Sequence, residues 1–110
     1  MPSSTRHEKD KTIRSFLVML FREIDPVNLR IVDHWDADRR AIGIASTSDL
    51  RLLVYISTSG QAKGRYFVEC ETPSDLSEKS GDPSFRTTLT EENADFDSVV
   101  ATIRRHLGIT

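Results

Sequence analysis

One cysteine, Cys70, stands in 110 residues. No internal disulfide can form from it, and cysteine usage of this kind favours a reducing cytoplasm. Long apolar runs are missing too. The longest, Phe16-Leu17-Val18-Met19-Leu20-Phe21, falls far short of the roughly 20 residues a membrane-crossing helix needs. The stretch from Met1 to Lys11 is polar and charged, which is not the pattern of a secretory leader. Gly-x-Ser-x-Gly does not occur, which removes the strand-to-helix nucleophile elbow. Gly-Lys-Ser/Thr does not occur either. The stretch STSGQAKG, Ser57 to Gly64, has loosely the composition of a phosphate loop. No helix pattern follows it, so a hairpin loop explains it better. Internal repeats and low-complexity segments are absent.

Positive charge is scarce in the second half. The chain is net −2, but residues 1–24 carry +2, residues 25–64 are neutral and residues 65–110 carry −4. Between Glu69 and Asp97, nine acids meet only Lys79 and Arg86. That tract argues against direct nucleic-acid binding, which wants a basic face. It suits a basic partner, or it is simply a solvated acidic loop.

What is present reads as one domain of ordinary size, spanning 9–110 behind a disordered tail at 1–8. From Lys9 to Ile24, the residues Ile13, Phe16, Leu17, Leu20, Phe21 and Ile24 recur in steps of three and four, one face of a helix. Glu8 or Asp10 suits its start and Pro26 ends it. Val18 and Met19 widen the stripe and predict a well-buried helix. Four strands follow, at Asn28–Trp35, Arg40–Ser46, Leu50–Ser57 and Arg65–Thr72, each alternating with period two. Their short connections imply an antiparallel meander. Residues 73–93 read as a long polar loop that Phe85 and Leu89 pin to the body. Phe96, Val99, Val100, Ile103 and Leu107 then mark a closing helix, with Asn93 or Asp95 as its cap and Gly108 at its end.

The order α-β-β-β-β-α indicates an α+β fold, a two-layer arrangement of a four-stranded antiparallel meander flanked by N- and C-terminal helices. The apolar side of each strand meets the helices. The open side then shows Val32, His34, Ala41, Gly43, Ala45, Leu53, Tyr55, Phe67, Glu69 and Glu71. Such a partly apolar surface marks a partner or ligand site, unless the C-terminal helix crosses over and buries it.

Asp33, His34, Asp36 and Asp38 are the densest cluster of chemically capable groups. A metal site needs ligands converging on one point, and strand alternation sends Asp33 and His34 to opposite faces. Asp is also a favoured turn residue. The cluster therefore reads first as a strand end and hairpin turn, then as a partner surface, and last as a metal or acid/base site. Pairing His34 with Glu69 requires the first and fourth strands to be close. His7 lies in the tail, and His106 sits at a helix end that favours cations. Cys70 faces inward and reads as a buried, inert thiol.

The segment IVDHWDADRRAIGIAS together with RLLVYISTSGQAKGRYFVECETP resembles small bacterial proteins that confer immunity to polymorphic or contact-dependent toxins. The resemblance rests on Asp33-His34-Trp35 followed by Ala37-Asp38, on Ala41 to Ala45, on Leu53 to Thr58, and on Gly64-Arg65-Tyr66 leading to Glu69 and Glu71. It covers residues 28–71, and more loosely the last helix with His106-Leu107. It implies a cytoplasmic protein that binds one cognate toxin domain, often a nuclease with a basic cleft, and blocks its active site or a surface it needs. It implies no catalytic residue, cofactor, metal, nucleic acid or membrane. Trp35, Tyr55 and Phe67 would be the anchors, and His34, Asp36, Asp38, Glu69 and Glu71 the polar contacts. The alternatives are a small enzyme or metal protein using His34 with Asp33, Asp36 or Asp38, and a general protein-interaction module.

Overall fold

The computed structural model describes residues 9–32, 38–73 and 85–109. The tail at 1–8 lies outside these residues. Helix α1 spans Lys11–Glu23. Asp10 caps it, its carboxylate accepting the Thr12 N–H at 3.0 Å, which satisfies one of the orphan donors of a helix start. Ile24 is already extended and a short 3-10 turn, Pro26–Asn28, follows. The helix buries Ile13, Phe16 and Leu20, and Ile24 is buried just beyond its end. It is less enclosed than the sequence suggests: Val18 is 55% exposed and Met19 38%. Both lie off the stripe, so they widen it on paper while pointing to solvent.

Five strands form one antiparallel sheet in sequential order: β1 Leu29–Val32, β2 Ala41–Ser46, β3 Leu53–Ser57, β4 Tyr66–Pro73 and β5 Phe85–Ala94. The fifth corrects the sequence reading. Residues 85–94, read there as part of a polar loop, pair with β4 from Pro73↔Phe85 to Tyr66↔Ala94. Leu89, opposite Cys70, packs against the core as expected. The third strand is shorter than its apolar pattern. Leu50 is 53% exposed, because the Asp49 carboxylate accepts the Arg51 N–H at 3.0 Å and shapes a turn there.

Helix α2 spans Phe96–Leu107. Asp95, not Asn93, caps it through the Ser98 N–H, and Gly108 closes it at φ 69. Both helices pack on one face of the sheet. Ile13, Phe16 and Leu20 from α1 and Val99, Val100 and Ile103 from α2 share one core with Ile42, Ile44, Val54, Ile56, Tyr66, Val68 and Cys70. Phe16 sits at its centre, its ring 5.0 Å from that of Tyr66 and 5.9 Å from that of Phe96. The Arg104 guanidinium donates to the Glu23 carbonyl at 2.6 Å, tying α2 to the open C-terminal end of α1. This is an α+β fold with an open sheet, and α2 does not cross to the second face. No helix of the described residues is long and apolar enough to cross a membrane.

Candidate functional site

Because strands alternate, the face turned away from the helices is fixed by register. One row across it runs Val32, Gly43, Tyr55, Glu69, Thr90. The next runs Arg30, Ala45, Leu53, Glu71, Thr87. Ala41, Ser57 and Phe67 lie on the other side of the Tyr55 row. Strand β2 gives this face only Ala41, Gly43 and Ala45, all buried. With Leu53, also buried, they form a low floor beside which Tyr55 and Phe67 are the large features. The two aromatic rings meet edge to face, centroids 6.0 Å apart at 75°, an arrangement favoured by the ring quadrupoles. Both are partly exposed, as are Glu69 and Glu71.

Burial pushes the Tyr55 phenol above its ordinary value, a hydrogen bond with Ser57 pulls the other way, and the Asp38 and Glu69 carboxylates add to the rise. Tyr55 therefore stays neutral at physiological pH, an apolar ring with a hydroxyl able to donate and accept. The structure thus brings Tyr55, Phe67 and Glu69 together, with Asp38 close enough to be felt and Glu71 one row away. His34, Trp35 and Asp36, with Asp33, lie outside the described residues. Asp38 has the turn role expected of it. Its carboxylate accepts the Arg40 N–H at 3.0 Å and its carbonyl accepts the buried Lys9 ammonium at 2.9 Å.

Among the described residues, the cysteine and the one described histidine are on the helix side. Cys70 is buried there and burial pushes its thiol up to about 11, which keeps it protonated and unreactive. His106 contacts the Glu71 carbonyl through Nε2 at 2.9 Å. A carbonyl can only accept, so that nitrogen carries a proton. Among the described residues, no three His, Cys, Asp or Glu side chains gather as metal ligands.

A second feature was not anticipated from the sequence. The β3–β4 connection folds back beside the first turn of α1 and leaves a cleft of about 550 Å³, whose lining includes Lys11, Arg40, Lys63 and Arg65. The phosphate-loop-like composition of Ser57–Gly64 was its one trace. A helix start does lie beside that loop, supplied by the chain before it rather than after it. No protein family, curated protein or solved structure matches the chain.

Proposed function

We propose that this protein is a cytoplasmic immunity protein that binds a cognate bacterial toxin domain, a nuclease with a basic surface, and blocks its active site or a surface it needs. One observation carries the reading: the partly exposed aromatic pair Tyr55–Phe67 stands with Glu69 and Glu71 on the sheet face turned away from both helices. Partly buried aromatics at the centre of a patch are the usual anchors of a protein interface. Neighbouring carboxylates steer and orient a basic partner. The resemblance of residues 28–71 to toxin-immunity proteins supplies the class of partner.

Co-expression with the product of each adjacent gene, followed by affinity capture of any complex, tests the proposal. Restored growth and a stoichiometric complex are expected. A toxin that is neither bound nor neutralised overturns it. Comparable binding to several unrelated chains replaces it with a general interaction module.

A further inference from the structure

We propose that the cleft between the β3–β4 connection and the start of α1 binds a phosphorylated small molecule carrying a diphosphate. The inference stands apart from the toxin-binding reading and uses a different part of the molecule.

Four cations from three parts of the chain, Lys11, Arg40 and the pair Lys63 and Arg65, line this one cleft on a protein whose net charge is −2. The lining contains no carboxylate. Two acids stand just outside it. Asp95 lies 3.9 Å from the Arg65 guanidinium. Asp10 is engaged by Thr12 through its hydroxyl at 2.6 Å and its N–H at 3.0 Å, and its carboxylate also feels the Arg40 charge. Among the described residues, Lys11, Arg40 and Lys63 make no ion pair. An anion placed in this cleft is attracted by all four cations.

Three other polar side chains of the lining, Thr12, Thr58 and Gln61, are already engaged within the protein. Thr12 gives its proton to Asp10, so the 2.7 Å contact between the two threonines has Thr58 donating. Gln61 donates to the Ser59 carbonyl and accepts from Asn93. The carboxylate of Asp10 also occupies the N-terminal end of α1, so the helix start adds nothing to the site. Recognition falls to the cations. Two planar guanidinium forks and two compact ammonium groups suit two tetrahedral phosphoryl groups better than a single carboxylate. The volume leaves room for an organic group beyond the phosphates. A polynucleotide would need an extended basic stripe, whereas the sheet face beyond this cleft presents Glu69 and Glu71.

Isothermal titration of the full chain at low salt with pyrophosphate, ADP, inorganic phosphate and a short single-stranded oligonucleotide is the test. Saturable binding of pyrophosphate at roughly 1 mM or tighter is expected, weaker binding of phosphate, and loss of affinity as salt is raised. Lys63→Gln and Arg65→Gln should each weaken pyrophosphate about tenfold, the scale of one charge-assisted contact. Arg86→Gln, a charge removed from β5, should leave binding unchanged. ADP equal to pyrophosphate assigns the site to the diphosphate itself, and tighter ADP assigns it to a nucleotide; both uphold the proposal. Absence of saturable binding, indifference to Lys63→Gln and Arg65→Gln, or an oligonucleotide binding more tightly than pyrophosphate overturns it.

Discussion

Asn93 and Gln61 hold each other's segments in place. The Asn93 N–H donates to Oε1 of Gln61 at 2.6 Å, and Oδ1 of Asn93 accepts the Ala62 N–H at 3.0 Å. Asn93 does this with φ 52, a left-handed conformation that asparagine tolerates better than most residues. The pair fastens an exposed connection to the end of β5. It also fixes the base from which Lys63 and Arg65 reach the cleft.

Substitution at Asn93 separates its two contributions. Asn93→Ala loses the acceptor for Ala62 and pays for left-handed backbone, and should cost about 1–2 kcal/mol of stability. Asn93→Gly loses the same acceptor but adopts φ 52 freely, so it should cost less. Urea unfolding of both variants checks the order. Equal stability of Asn93→Ala and the parent, or a glycine variant weaker than the alanine one, would contradict this account of the connection.

Phe16 joins α1, β4 and α2 through its contacts with Tyr66 and Phe96 and is 0% exposed. Phe16→Ala removes those contacts and leaves a cavity that the surrounding elements can only partly close, which should cost about 3–5 kcal/mol. Val18→Ala, two positions along on the exposed side, should change stability by no more than about 0.5 kcal/mol. Chemical denaturation with unchanged m-value distinguishes a loss of packing from a change of the unfolded chain. A Val18 variant as weak as the Phe16 variant would show that α1 packs on another face.

Cys70 gives the fold an alkaline limit. Burial raises its thiol from an ordinary 9.0 to about 11, and the Arg105 charge opposes this only in part. The folded chain therefore holds its proton to higher pH than the unfolded chain does. Stability is complete below pH 9 and should fall as pH rises from 9 towards 11, because there the unfolded state has already released the proton. Tyr66, raised by burial, acts in the same direction. Thermal unfolding across this window should show the decline, and Cys70→Ala should make it shallower. Alkylation at neutral pH should proceed only through unfolding, so rapid modification of the native protein would refute the buried thiol.

The helices and the first four strands were legible because their apolar residues repeat with the period of the element that buries them. Ile42, Ile44, Val54, Ile56, Val68 and Cys70 all fall on the predicted side. Strand β5 was not legible. As an edge strand it reads FRTTLTEENA, with Leu89 and Ala94 as its apolar core contacts, and polar residues of this kind are usual on edges. Two register shifts against β4, between Tyr66 and Val68 and between Cys70 and Glu71, break the period of two that would have revealed it. The shared face of Tyr55, Phe67, Glu69 and Glu71 was foreseen through their alternation, but Ala41, Gly43, Ala45 and Leu53, read as exposed on it, are buried. The basic cleft was not foreseen, since residues 11, 40, 63 and 65 form no local pattern and meet only when the connection closes onto α1.

On the sheet face turned away from the helices, charge and aromatic area should contribute differently to binding. Tyr55 and Phe67 offer apolar area already held in place by their mutual contact, so little side-chain freedom is lost when a partner covers them. Tyr55→Ala should therefore weaken the toxin complex by about 2 kcal/mol or more, close to thirtyfold, mainly through faster dissociation. Glu69→Lys keeps the strand paired but reverses the field met by a basic partner. Its effect should appear mainly in a slower association rate and a reduced salt dependence. Thr90, next to Glu69 in the same row, lies at the edge of the sheet, and Thr90→Ala should be nearly neutral. Surface plasmon resonance at two salt concentrations resolves these rates. If Tyr55→Ala and Glu69→Lys, both folded, leave association and dissociation unchanged while the toxin still binds, the partner sits elsewhere on the molecule.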